Sequence, residues 1–294
     1  MFRDRDLPVR VLGAVLPPRL GHRLSDTLTP LVGGARHRHV SAFAGAAAAI
    51  LLDDREAGEQ VRRRYVASLA ADDLDACRAW ARVGPSCGSA ALEGERFLPA
   101  PGAAVFVSFH LSGGLAVFEV LRRHGFAPTF LRAPTLPAAG RYERSIGAVR
   151  LRYLRRVLAR PWILTGPGAR DTLAAHLASG GAVVALLDVP AQAVPLRDRT
   201  SGSLFGRTLS VPSGLLRLAL AQNLPIVPFD ARVSDGSRAV RFHAPARGAD
   251  VGAVLASVLH TLEGVVRERP WDWHSWLELD QLFAEATPGP AIGA

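Results

Sequence analysis

His110 stands where an apolar run gives way to a glycine turn, a position suited to acid–base chemistry. The run Ala104-Val105-Phe106-Val107-Ser108-Phe109 is short and rich in β-branched and aromatic side chains, which reads as a buried strand. Ser112, Gly113 and Gly114 break it. Leu115, Ala116, Val117, Phe118, Val120 and Leu121 then read as a packed helix, with Arg122 and Arg123 in its last turn and Gly125 as its stop. Ligands of open α/β sheets bind outside the carboxyl ends of the strands, which is where this histidine falls. A neutral imidazole there suits proton abstraction as general base. The turn Ser112–Gly114 would let a substrate approach the backbone, and the helix start would offer N–H groups to a developing negative charge.

A histidine base normally leans on an acid that orients its ring. Glu119, on the helix that follows, is the first candidate; its plain alternative is pairing with Arg122 or Arg123. Asp188 ends the apolar strand Ala182–Leu187 and is expected near the site, as an orienting acid or paired with an arginine. A backbone carbonyl is the third possibility. Arg132 and Arg207 are expected to bind phosphate oxygens, with solvated surface arginines as the alternative. Ser213 opens a helix and is expected to cap it rather than react, at the edge of the substrate site. No Walker loop, dinucleotide-binding glycine fingerprint, zinc spacing or Gly-x-Ser-x-Gly elbow occurs, so no metal and no nucleotide cofactor is expected.

The elements that must position these residues alternate. An all-helical preface, residues 1–90, precedes the first clear strand: a proline-broken lead-in over Leu7–Leu31, helices over Arg36–Leu52 and Arg55–Leu69, and a short helix over Asp72–Arg82. Within it, Val40–Leu52 is Ala-rich and too short to span a bilayer, and reads as a buried helix. Residues 91–284 follow as an α/β unit, with strands at Ala104–Phe109, Pro128–Arg132, Pro161–Thr165, Ala182–Leu187, Pro225–Phe229 and Ala239–His243. Helices at Arg141–Leu158, Arg170–Ala178, Pro212–Ala221 and Val251–Arg267 separate or follow them. That alternation predicts a central sheet, mainly parallel or mixed, flanked by helices. Gln192–Leu209 reads as a polar loop, and residues 285–294 as a disordered tail. Trp271, Trp273 and Trp276 form either a membrane-interface belt or the packing of a C-terminal segment.

The composition, 49% hydrophobic and 21% charged over 294 residues, is that of a folded chain. Cys77 and Cys87 lack metal or redox spacing, which fits a reducing, cytosolic setting. The net charge of +9, carried by arginine, favours anionic partners modestly, because the same sequence is enriched throughout in Ala, Gly and Pro. Nucleic acid would rest on that charge alone and is not expected as a partner. No transmembrane segment is expected, which leaves peripheral attachment to a membrane surface.

These blocks resemble the late acyltransferases of lipid A synthesis, the lauroyl- and myristoyl-transferring type of lysophospholipid acyltransferase. The strand ending in His110 matches. So do Leu204-Phe205-Gly206-Arg207 with Val211-Pro212-Ser213-Gly214, Ala182–Asp188, and Pro270-Trp271-Asp272-Trp273-His274-Ser275-Trp276. Arg132 falls where the family has an arginine after its second strand. The likeness runs from about Leu7 to Phe283. The family's acid, after four intervening positions, is replaced by Leu115, with Glu119 one turn further along. The resemblance implies transfer of an acyl group from acyl carrier protein or acyl-CoA to a hydroxyl or amine of a lipid or secondary-metabolite acceptor. His110 would be the base and the Ser112–Gly114 turn the oxyanion support. It implies no cofactor beyond the thioester co-substrate, and a cytoplasmic place, peripheral on the inner face of the plasma membrane. The loss of the acid at Leu115 also allows a catalytically inactive homologue that binds acyl chains or carrier protein as a scaffold.

Overall fold

A computed structural model of the chain describes residues 12–16, 18–81, 90–133, 141–158, 160–189, 199–234 and 237–283. The tail 285–294 and Cys87 lie outside them. Two long helices come first, α1 (Pro18–Leu52), bent at Gly34, and α2 (Arg55–Ala81). Asp53 takes a left-handed conformation, and Asp54 accepts from the N–H groups of Glu56 and Ala57 at 2.8 and 3.1 Å. Chain reversal and helix cap therefore fall on adjacent residues. Beside the turn, a side chain on Gly58 would collide with Ala49 Cβ at 2.5 Å, so glycine permits the close packing of the two helices. The expected break before Asp72 is absent: α2 runs through it, since Ala70-Ala71-Asp72 holds no helix breaker. Within Val40–Leu52, Ala44, Ala48, Leu51 and Leu52 are buried while Phe43 and Ile50 are exposed, so this helix buries one face only.

The sheet has seven strands: β1 (Ala91–Glu93), β2 (Ala104–Ser108), β3 (Pro128–Arg132), β4 (Ile163–Leu164), β5 (Ala182–Leu186), β8 (Ile226–Ser234) and β9 (Ser237–Phe242). Their order is β1-β9-β8-β2-β5-β3-β4. All neighbours are parallel except the hairpin pair β8 and β9. Helices α3 (Ala116–Arg123), α4 (Arg141–Val157), α5 (Ala169–Ala178), α6 (Gly214–Ala221) and α7 (Val251–Glu268) flank the sheet, and a short α8 (Leu279–Leu282) ends the described chain. The fold is thus the α/β class that the alternation predicts, with a mixed, mostly parallel sheet and an N-terminal helical region.

Strand β2 is buried along its whole length because both sheet faces are covered. Val105, Val107 and Phe109 face one core, shared with α1, α2, α6 and α7, whereas Ala104 and Phe106 face the other, shared with α3 and α4. Phe106 is held edge-on by Phe126 and Phe242, with ring centroids at 5.4 and 5.5 Å.

One expected loop is a hairpin. β6 (Arg199–Leu204) and β7 (Arg207–Pro212) pair antiparallel around Phe205-Gly206, both at positive φ. Its strands escape a reading by composition because Ser, Thr, Arg and Gly dominate them; only Leu204, Leu209 and Val211 turn inward. Gly202 lets β6 lie flat on α7, since a side chain there would meet Leu259 at 2.5 Å. Trp273 and Trp276 are fully buried, and their indole N–H groups point inward to Asp188 and to the Pro270 carbonyl, which is the geometry of core packing rather than an interface belt.

Phe106→Ala removes the most enclosed aromatic of the central strand. It should cost about 3–5 kcal/mol, read as a lower urea midpoint; an unchanged midpoint would contradict this account of the core.

Candidate functional site

The parallel register of β2 and β5 places two chemically active residues side by side. Ser108 lies opposite Leu186, so His110 and Asp188, each two residues further on, leave the sheet opposite one another. Leu187 N–H donates to Ser108 O at 2.8 Å, carrying the pairing beyond the strand ends. A tight turn then closes, Leu111 N–H donating to Phe109 O at 2.8 Å, and presents the imidazole.

His110 Nδ1 meets Asp188 Oδ1 at 2.9 Å, and the backbone N–H of His110 donates to both carboxylate oxygens at 2.9 Å. Trp273 Nε1 and Ser275 Oγ donate to Oδ2 at 2.8 Å each. A carboxylate only accepts, so Nδ1 carries the proton and Nε2 keeps its lone pair. Nε2 has no partner among the described residues, and the ring is 45% exposed while the Asp188 side chain is at 0%. Burial pulls the His110 pKa down, but the charge and hydrogen bond of Asp188, helped by Glu278, outweigh it and raise the pKa above the ordinary 6.5. For Asp188 burial pushes upward, and the charge and hydrogen bonds of His110, with Trp273, hold it below the ordinary carboxylate value. A half-exposed imidazole backed by a buried, ionised carboxylate is a general-base arrangement.

Helix α2 supports the site through one polar stripe. Tyr65, Ser68 and Asp72 share a helix face. Tyr65 OH donates to His274 O at 2.7 Å, Ser68 Oγ to Asp272 Oδ1 at 2.9 Å, and Asp72 Oδ1 accepts from Gly113 N–H at 2.5 Å. The next residue of the stripe, Asp75, pairs with Arg238 and with His22. His274 donates its backbone N–H to His110 O at 2.8 Å. Its imidazole is driven down to a pKa of about 4 by burial, so it is neutral at ordinary pH.

Several expectations change at this site. Asp188, not Glu119, occupies the His110 ring nitrogen. Glu119 accepts instead from Tyr153 OH at 3.1 Å, because the helix face that carries 115 and 119 turns toward α4. Leu115 lies on that face, lining a small recess with Asp72, Asp75, Gly113 and Tyr153. The Ser112–Gly114 turn does not offer free donors either. Ser112 N–H goes to Asp272 O at 3.0 Å, Gly113 N–H to Asp72, and Gly114 N–H to Leu111 O at 3.2 Å. Gly113, at φ 76, is required by the turn and by its packing on β8, where a side chain would press on Val233 at 3.1 Å.

Arg132 ends β3, the strand beyond β5, but donates to Ala133 O at 3.2 Å and lies over the Trp162 ring. Arg207 lies over Phe283, its guanidinium carbon 4.8 Å from the ring centroid. Ser213 makes no side-chain cap of α6; its hydroxyl accepts from Thr200 Oγ1 at 2.8 Å and ties the hairpin to that helix. The structure therefore joins His110, Asp188 and the Ser112–Gly114 turn, and gives Glu119, Arg132, Arg207 and Ser213 partners of their own. Trp273, Ser275 and the α2 stripe escaped sequence reading; the spacing of Tyr65, Ser68 and Asp72 was the available signal.

No protein-family model matches the sequence, and no curated protein does. Among solved structures the chain is similar to the 1-acyl-sn-glycerophosphate (LPA) acyltransferase PlsC from Thermotoga maritima, at 14% identity and a TM-score of 0.36, over 85% of this chain and 97% of that one.

Replacing Asp188 by Asn removes the charge that raises the His110 pKa and leaves burial in control. An NMR titration of the ring should show an apparent pKa above 6.5 in the wild type and below it in Asp188→Asn. Equal values would place the controlling charge elsewhere.

Proposed function

We propose that this protein is an acyltransferase in which His110, oriented by Asp188, is the general base. The observation that carries the reading is the dyad itself: an outward-facing Nε2 on a half-exposed imidazole, locked through Nδ1 to a buried carboxylate at the carboxyl end of parallel strands. Nε2 takes the proton of an acceptor hydroxyl as its oxygen attacks the carbonyl carbon of an acyl thioester. The tetrahedral intermediate collapses with breakage of the C–S bond, and the proton passes from the imidazolium to the departing thiolate. The donor is an acyl carrier protein or acyl-CoA thioester, and the acceptor a lipid or smaller metabolite bearing a hydroxyl or amine. The four sequence blocks that resemble the lipid A late acyltransferases support acyl transfer as the group moved.

The inactive-scaffold alternative began from the missing acid at Leu115. Asp188 meets the same physical need from the neighbouring strand, which removes that premise. Among the described residues no helix is long and apolar enough to cross a membrane. Exposed Leu12, Val15 and Leu20 near the N-terminus, with Arg23 exposed on the same helix as Leu20, support peripheral attachment at a membrane surface.

Thiol release from acyl-CoA and acyl carrier protein thioesters tests the reading. With a crude lipid extract as acceptor source, His110→Ala and Asp188→Asn should each lose about 10²–10⁴-fold in turnover. Wild-type release that His110→Ala leaves untouched would sink the proposal. A loss in Glu119→Ala without one in Asp188→Asn would return the orienting role to α3.

A further inference from the structure

Glu278 is an acid without an assigned task beside the dyad. The short 3₁₀ turn His274–Leu277 carries Ser275, whose hydroxyl donates to Asp188 at 2.8 Å. Glu278 N–H donates to Ser275 O at 2.9 Å, so the turn continues to Glu278. Glu278 thus caps the turn, and its backbone adjoins that of Ser275, the residue that donates to Asp188. Its charge is felt at both His110 and Asp188, in agreement with that placement. The residue is exposed, and its carboxylate has no hydrogen-bond or ion-pair partner among the described residues.

Among the described residues, three arginines of this end of the molecule are engaged by carboxylates. Arg150, whose charge also reaches His110, is held by Asp73 at 2.9 Å and Asp72 at 3.7 Å. Arg238 is paired with Asp75, and Arg269 with Asp230 and Asp272. Despite the overall charge of +9, the described residues beside His110 thus include a carboxylate with no partner, whereas a phosphate-binding site calls for an uncommitted guanidinium. A phosphate-bearing acceptor would meet repulsion from Glu278, and an ammonium would find a counter-charge there.

We propose that Glu278 is a specificity residue that holds a protonated amine of the acceptor, and that the preferred acceptor is an amino alcohol whose hydroxyl reaches His110. This rests on the acyl-transfer reading above. The ammonium keeps its proton throughout and pairs with Glu278. The hydroxyl gives its proton to Nε2 and forms the new ester as the thioester C–S bond breaks, and the thiolate leaves with that proton.

Three long-chain acceptors separate the possibilities: sphinganine, neutral monoacylglycerol and lysophosphatidic acid. Wild type should release thiol fastest with sphinganine, and Glu278→Gln should lower the sphinganine-to-monoacylglycerol ratio of kcat/KM roughly tenfold, through KM. Glu278→Arg should move the preference to lysophosphatidic acid. Calorimetric binding of the same three compounds to His110→Ala and to His110→Ala/Glu278→Gln reads the site without turnover. Sphinganine bound by the first and weakened roughly tenfold in the second supports the assignment even where no thiol is released, in which case only the acyl-transfer reading fails. Preference of wild type for lysophosphatidic acid, or equal binding of all three compounds, overturns it.

Discussion

The buried carboxylate of Asp188 is the constraint on which this end of the molecule depends. An ionised acid removed from water is tolerated only when its oxygens are satisfied and a positive or polar partner stands by. Here the donors come from three distant parts of the chain: His110 by ring and backbone, Trp273 by its indole, and Ser275 by its hydroxyl. Each donor fixes the segment that carries it. The sharp turn after β2, the C-terminal run of short 3₁₀ turns and the end of β5 are held to one another by the same two oxygens. The donors that make its burial tolerable also aim the imidazole outward.

A second layer builds on this knot. The stripe Tyr65, Ser68 and Asp72 joins helix α2 to His274, Asp272 and Gly113, the backbone surroundings of the dyad. The N-terminal helices are thereby coupled to the site through polar contacts as well as through the apolar core shared with β2. The glycine turn after His110 belongs to this layer. Its N–H groups are spent on Asp72, Asp272 and Leu111, so the turn is a structural joint. Asp272 shows the cost of such packing: burial lifts its pKa to about 6, despite Arg269 nearby and a hydrogen bond from Ser68.

Charge shows the difference between a total and an arrangement. Thirty-five basic residues against 26 acids suggest an anion binder. Yet Arg150, Arg238 and Arg269 are consumed by carboxylates inside the fold, whereas Glu278 stands unpaired among the described residues beside the His110–Asp188 pair. A net charge speaks for long-range attraction, and pairing decides what a site presents to a ligand.

The sequence alone determined the alternation of strand and helix, the buried character of β2 and β5, and the placing of His110 at a strand end. These follow from local apolar runs and glycine punctuation, which residues near in the chain carry by themselves. It also offered Asp188 as one candidate among three. Only the tertiary structure chose it, because strands 78 positions apart had to pair in a register that sets 110 against 188. Leu115 and Glu119 misled for a related reason. Spacing along a helix says which residues share a face, and packing decides what that face meets; here it meets Tyr153 of α4 rather than the imidazole. The hairpin β6–β7 and the inward-facing tryptophans were hidden likewise, since polar strands and aromatic tails declare their environment only once the core they cover has formed.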